Sequence, residues 1–300
     1  MPFLFDKKQR QKMLQITMPN WVKDIVEKPL LIESFSKEEI EVLKQKLSRF
    51  NSNNPVVTII IPAWNEEYGI LHTLISLANT TCPYAVELIV VDNNSTDGTG
   101  ALLHKLGVKS LLETKQGVGH ARTKGLINAK GKFILTGDSD TLYPPTWIYQ
   151  MTNAMMQNEE EKVYCVIGCY SFIPSNKATR WKYAFYEMLS AIVIRRKQKF
   201  EPYLAAVGFS CGFVRDKGIA VDGYNIESQR TCRGNAGVLD TNATEDGMMA
   251  LRLMNAGGKI KCMNTSSTKV WTSDRRIHMD GGLTKAIKMR INKYLFLNRA

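Results

Sequence analysis

The sequence predicts an α/β protein with a mostly parallel, Rossmann-like central sheet flanked by helices and with helical extensions at both ends. Three observations predict it. Apolar strand-like runs alternate with segments of helical periodicity between residues 56 and 136. The run Val56-Val57-Thr58-Ile59-Ile60-Ile61 is β-branched throughout, the pattern of a strand covered on both faces. Polar and acidic clusters follow the apolar runs directly, where open sheets of this type bind ligands.

Residues 1–53 read as a helical N-terminal extension. Ser36-Lys37-Glu38-Glu39 is a capping box, followed by Ile40, Leu43 and Leu47 at helical spacing. The polar break Asn51-Ser52-Asn53-Asn54-Pro55 marks the start of the main domain at 54. The first strand then ends at Pro62. Ile70, Leu71, Leu74, Ile75 and Leu77 predict a helix over 66–79. Leu88-Ile89-Val90-Val91 is a second strand ending at Asp92, and 99–106 a short helix. Residues 108–112 read as a third strand, 119–129 as a helix, and 132–136 as a fourth strand before Asp138. Further on, 164–170 and 209–214 read as strands. Residues 245–256 read as a helix stopped by Gly257-Gly258.

Composition is that of an ordinary globular chain: 300 residues, 44% hydrophobic and 23% charged. This excludes disorder over most of the length. The net charge of +12 fits a polyanionic partner (nucleotide diphosphates, nucleic acid or an anionic membrane) or simply a solvated basic surface, and does not choose among them. None of the six cysteines forms a CxxC pair or a zinc-spaced cluster, so a reducing compartment is expected, with Cys165 and Cys169 as buried thiols. The four histidines are isolated. The N-terminus lacks the apolar core of a signal peptide, and no run of 18 apolar residues occurs. The expectation is a cytoplasmic protein, soluble or peripheral.

Four clusters carry candidate chemistry. Pro62-Ala63-Trp64-Asn65-Glu66-Glu67 is a strand-to-helix turn whose backbone suits a nucleobase and ribose, and whose Asn and Glu also serve as caps. Asp92-Asn93, opening a turn-rich stretch to Thr99, offers oxygen acceptors to a base or plain turn chemistry. Asp138-Ser139-Asp140 sets two carboxylates one residue apart at a strand end, hard ligands suited to Mg²⁺ or Mn²⁺ with a bound phosphate. Glu245-Asp246 opens a helix, where the dipole favours an ionised carboxylate; a general base and a helix cap both fit.

Taken in order, these stretches resemble family-two glycosyltransferases of the GT-A fold. The matching segments are VVTIIIPAWNEE, ELIVVDNNSTDGT, KQGVGHARTKGLINAKGKFILTGDSD, VDGY and ATEDGMMALRLMNAGGKI, spanning about 56–275. The resemblance implies a nucleotide-binding half at 54–145 and an acceptor half at 146–276. It implies an inverting transfer of a sugar from a nucleotide-diphosphate sugar to a hydroxyl acceptor. Pro62, Ala63 and Glu66 would line the nucleoside pocket, with Asp92 and Asn93 at base and ribose. Many members have a second aspartate where this chain has Asn93, which leaves the base open. Asp138 and Asp140 match the metal motif for Mn²⁺ or Mg²⁺, and Asp246 matches the general base. Lys115 and Arg122 fall where some members place cations near the diphosphate, and Arg122 also reads as a helix-surface charge. Some relatives carry a stretch similar to Thr272-Ser273-Asp274-Arg275-Arg276, which would bring Arg275 or Arg276 to the diphosphate.

The alternatives are a non-catalytic nucleotide-sugar-binding relative and a nucleotidyltransferase. The latter lacks its Gly-rich basic loop after the first strand, and no nucleic-acid partner is expected. The acceptor class stays open: sugar, polysaccharide or lipid-linked. Residues 277–300 form a basic amphipathic C-terminal helix with Leu283, Ile287, Ile291 and Leu295 on one face. That helix and 181–200 fit either peripheral membrane contact or core packing with solvated lysines.

Overall fold

The structure, a computed structural model, describes residues 17–176, 179–224 and 244–297 of the chain. Cys232 and the first 16 residues lie outside them. Helices α1 (Asn20–Val26) and α2 (Lys37–Ser48) come first. Ser36 caps α2 reciprocally: its hydroxyl accepts from Glu39 N at 3.1 Å, and the Glu39 carboxylate accepts from Ser36 N at 2.8 Å. Val22, Ile25, Leu43, Leu47 and Phe50 are buried in the same core as the first strands.

The first strand, β1 (Val57–Ala63), leads to α3 (Ile70–Ala78), which is fully buried. This helix is shorter than the 66–79 expected. Asn65 takes a left-handed φ of 52°, and the Gly69 and Ile70 amides turn back on Glu66 O. The next elements are β2 (Val86–Asp92), α4 (Thr99–Lys105), β3 (Ser110–Leu112), α5 (Val118–Asn128) and β4 (Phe133–Thr136). The four strands are parallel in the order β3-β2-β1-β4, with Val57 opposite Val86 on one side and Phe133 on the other. Ile59 and Ile61 enter one apolar cluster while Ile60 enters another across the sheet. Burial on both faces explains the unbroken apolar run.

The second half adds β5 (Thr141–Leu142), α6 (Trp147–Met156), β6 (Val163–Ile167), β7 (Cys169–Ile173), α7 (Arg180–Phe200), β8 (Cys211–Val214) and α8 (Arg215–Ala220). It closes with α9 (Glu245–Asn255), β9 (Lys259–Cys262), β10 (Lys269–Ser273), α10 (Arg275–Met279) and α11 (Gly282–Leu297). Strand β8 joins β4 antiparallel and carries β6 and β9 outward, giving seven strands. A second sheet, β5-β10-β7, stands beside it.

The single strand expected over 164–170 is two strands in two sheets. Gly168 breaks it. Its amide donates to Ser210 O at 2.8 Å, and a Cβ there would collide with the Ser210 hydroxyl. The break also corrects one cysteine: Cys165 is buried, whereas Cys169 is only partly so. Leu283 and Ile287 of α11 pack beside Tyr183 and Tyr186 of α7, while Ile291 is exposed. The Leu295 side chain lies outside the described residues. Among the described residues no helix is long and apolar enough to cross a membrane.

Candidate active site

The acidic clusters meet at the carboxyl ends of β1, β2 and β4, and α9 and α10 bring the remaining charged groups to them. Strand β4 delivers Asp138 and Asp140 through a short loop that several bonds fix. Tyr143 Oη accepts from Asp138 N at 2.9 Å. Thr73 Oγ1 donates to Ser139 O at 2.8 Å and accepts from Thr141 N at 3.1 Å. The two carboxylates are thus aimed by backbone restraint, each only 15–18% exposed.

Asp246 is the second residue of α9. Thr244 caps that helix, accepting from Gly247 N at 3.2 Å, so the carboxylate sits at the positive end of the dipole. Arg122 of α5 joins it to the β4 loop. Its Nη1 donates to both Asp246 oxygens at 2.8 and 2.9 Å, and its Nη2 to Asp138 Oδ1 at 3.0 Å. Arg122 is 2% exposed, so it is a buried bridge and not the helix-surface charge that its sequence also allowed. Burial pulls its pKa down, but the carboxylates of Asp246 and Asp138 overcome this and hold it above the ordinary value. Tyr224 of the VDGY stretch places its ring 5.7 Å from the guanidinium. Gly208 lies flat against it; a Cβ there would strike Arg122.

A second charge cluster surrounds Asp140. Arg275, at the head of α10, bonds Glu66 and reaches Asp140 Oδ2 at 3.3 Å; Ser273 Oγ donates to the same oxygen at 2.5 Å. Arg276 Nη2 stands 3.9 Å from Asp138. Glu66 is buried, and that burial raises its carboxyl pKa even against Arg275. Its amide donates to Thr99 Oγ1 at 2.9 Å, tying the β1 turn to α4.

The nucleoside-pocket candidates lie on the adjoining strand ends. Pro62 pairs in register with Val91 and Ala63 with Asp92. Asn93 N donates to Ala63 O at 2.8 Å. The Asn93 amide is itself committed, donating to Glu113 O and Lys115 O and accepting from Gly117 N. Asp92 accepts from Ser95 N at 2.9 Å. Lys115 is joined to this group through its backbone, and its side chain is exposed.

Sequence reading passed over Asp274. It is 2% exposed, accepts from Tyr183 Oη at 2.6 Å and Ser175 Oγ at 2.5 Å, and stands 3.0 Å from His278 Nε2. Burial raises its pKa, but these hydrogen bonds outweigh that and hold it below the ordinary range. It anchors the base of the arm that carries Arg275 and Arg276. The basic pair beside it drew the attention, and nothing in the sequence placed Tyr183 against it.

The donor set at Asp138 and Asp140 can be tested for a divalent ion. Among the described residues no group of three His, Cys, Asp or Glu side chains is arranged to hold a metal. Two carboxylates one residue apart on this loop nonetheless fit the usual manner of Mg²⁺ and Mn²⁺, which take one or two carboxylates and fill the remaining positions with water and substrate phosphates. The arrangement suits an ion that arrives with a diphosphate and does not suit an all-protein cage.

The chain is similar to known proteins in sequence and in fold. The family model described as Glycosyl transferase family 2 matches residues 58–220. An uncharacterized glycosyltransferase YfnE of Bacillus subtilis (strain 168) is 31% identical over 113 residues, 36% of this chain and 29% of its own length. Probable glycosyltransferase YdaM of the same organism is 25% identical over 240 residues, 74% of this chain and 54% of its own length. The chain thus spans about half or less of these relatives. Glucosyl-3-phosphoglycerate synthase from Mycobacterium tuberculosis, in complex with Mn²⁺, uridine-diphosphate-glucose and phosphoglyceric acid, has the same fold. It aligns with a TM-score of 0.51 at 16% identity, covering 86% of this chain and 84% of that one. With the family model matching more than half of its length, the chain belongs to glycosyl transferase family 2.

Proposed function

We propose that this protein is an inverting glycosyltransferase that moves a sugar from a nucleotide-diphosphate sugar to a hydroxyl acceptor. One observation supports the reading: buried Arg122 bonds both Asp246 and Asp138, so the base candidate and one carboxylate of the metal motif flank a single guanidinium.

Pro62, Ala63, Glu66 and Asp92 would hold the nucleoside, while Asn93, its amide taken up by Glu113, Lys115 and Gly117, would shape the pocket from beneath. Asp138 and Asp140 would hold Mn²⁺ or Mg²⁺ beside the donor diphosphate. When bound, that ion neutralises charge on the departing diphosphate. Arg275 and Arg276 exchange their bonds to Glu66, Asp140 and Asp138 for phosphate oxygens, which suit a guanidinium fork; Lys115 adds charge from the rim. Asp246 takes the acceptor proton as the hydroxyl oxygen bonds to the anomeric carbon from the face opposite the leaving group. The nucleotide diphosphate leaves with the bonding electron pair. A carboxylate has about four lone-pair sites, so the Arg122 contacts leave room for the acceptor. Arg122 orients Asp246 through both its oxygens, and positioning with electrostatics supplies most of the acceleration.

The division at 54, 145 and 276 belongs to this reading: the nucleoside and metal candidates precede 145 and the base candidate Asp246 follows it, while Arg275 and Arg276 return to the donor side from the second half. The exposed face of α7 is the candidate for peripheral membrane contact. Trp181, Phe185 and Ile192 form an outward apolar stripe, with exposed Lys182, Arg195, Lys199, Lys285 and Lys288 on α7 and α11.

Asp246→Asn tests the reading. Transfer should fall by about 10²–10⁴-fold, while nucleotide-diphosphate affinity stays close to wild type. A near-normal rate removes Asp246 as base. Nucleotide binding by the wild type without turnover, across a broad acceptor panel, would favour a non-catalytic binding protein instead.

A further inference from the structure

The carboxylates assigned to the ion are already neutralised from within the chain. Both oxygens of Asp138 face guanidinium groups: Arg122 donates to Oδ1 at 3.0 Å, and Arg276 Nη2 stands 3.9 Å from Oδ2. Asp140 Oδ2 accepts from Ser273 Oγ at 2.5 Å and from Arg275 Nη2 at 3.3 Å. A divalent ion entering alone would meet these positive charges at short range, where a partly buried site screens them little.

The three arginines are not equivalent. Arg122 is buried and cannot leave without stranding buried carboxylates. The side chains of Arg275 and Arg276 are 54% and 66% exposed, whereas the carboxylates they reach are largely buried. The β4 loop holds those carboxylates still, and the two guanidiniums approach them from the solvent side. Ion pairs with one solvated partner are weak and readily exchanged. The backbone beneath the two arginines is pinned, because Asp274 bonds Ser175 and Tyr183 at the start of α10. Only the side chains need turn.

Arg275 also joins two parts of the donor site. The same Nη2 bonds Glu66, a nucleoside-pocket candidate, and Asp140, a candidate ion ligand. One movement therefore frees both. A bare ion gives the guanidinium nothing in return for Asp140. A diphosphate offers each guanidinium a pair of phosphate oxygens.

We propose that Arg275 and Arg276 form an electrostatic latch over Asp138 and Asp140, which turns away the bare divalent ion and opens to the ion together with a nucleotide diphosphate. This rests on the glycosyltransferase reading above and adds the order in which its donor site fills. The coupling between ion and nucleotide is then built from two exposed side chains. It is reciprocal: each ligand raises the affinity of the other by the same factor.

Mn²⁺ titrations of the full chain, followed by the electron paramagnetic resonance signal of the free ion, test it without turnover. Arg275→Gln should bind Mn²⁺ alone at least about fivefold more tightly than wild type, the low end of ordinary couplings. Its gain from added uridine or guanosine diphosphate should shrink. Arg275→Lys, which keeps the charge, should stay close to wild type. Arg276→Gln, which leaves Asp138 bonded to Arg122, should move the bare-ion affinity in the same direction as Arg275→Gln. The sign of the change is the decisive readout. Losing a residue that only holds phosphate, or only supports the fold, would weaken nucleotide binding and give the bare ion no gain. Bare-ion affinity that is unchanged or lower in both Gln variants, with ion-dependent nucleotide binding still abolished by Asp140→Ala, overturns the latch and leaves the donor site standing. Mn²⁺ binding that Asp140→Ala does not alter, with nucleotide or without, overturns the donor-site reading and the latch with it.

Discussion

Arg122 is surrounded by groups that each depend on it. Asp246 gives it both oxygens, Asp138 one, Tyr224 a ring face, and Gly208 a surface without a side chain. Taking a partner from a buried ion pair leaves an uncompensated charge and costs about 3–5 kcal/mol. Arg122→Leu should therefore destabilise the fold by that amount in urea titration. Adding Asp246→Leu should restore part of the loss by removing one stranded carboxylate. A destabilisation under about 1 kcal/mol would mean that the bridge carries little. In sequence Arg122 was one basic residue in a helix of mixed character. Neither Asp138 nor Asp246 is near it along the chain, so nothing local marked it as buried. Asp246 was legible because it follows a helix cap, and Asp138 and Asp140 because they end an apolar strand.

Among the elements, the parallel quartet β3-β2-β1-β4 is joined by a carboxylate as well as by its ladder. Glu87 on β2 accepts from Thr58 Oγ1 of β1 at 2.7 Å, from Lys109 at 2.6 Å and from Lys130 N at 3.0 Å. Burial alone would raise its pKa, but these bonds hold it below the ordinary value of 4.5. A depressed native pKa means that the unfolded chain binds the proton first. The stabilisation is then complete above the ordinary value and is lost as the pH falls through the native one. Glu87→Gln should cost about 1.5–3 kcal/mol near neutrality, and its stability should vary less with acidification than that of wild type. Parallel stability–pH curves for the two proteins would contradict this. The four strands of the quartet read directly from apolar runs because both faces are buried. The second sheet did not. Strand β5 is two residues long, β10 is half polar, and β7 continues β6 but for one glycine whose contacts are with distant residues.

Over the molecule at large, the segments before and after residue 145 share the edge where β1, β2 and β4 end, and α9 and α10 return to it from far along the chain. Sequence order alone could place each cluster at a strand or helix end, but not show that two arginines would join them. The +12 charge is partly displayed beside the outward apolar stripe of α7, a combination that favours an anionic lipid surface. The protein should pellet with phosphatidylserine vesicles and not with phosphatidylcholine alone, and Trp181→Ser with Phe185→Ser should release it. Failure to pellet with anionic vesicles would rule that contact out. In the proposed reaction Asp138 and Asp140 would hold a divalent ion against a nucleotide diphosphate. Calorimetric titration of uridine and guanosine diphosphates, with and without Mn²⁺, into wild type and Asp140→Ala tests it most directly. One nucleotide should bind wild type more tightly with the ion than without it, and the substitution should abolish that gain. Equal affinity with and without Mn²⁺, or the same gain in both proteins, would contradict the assignment.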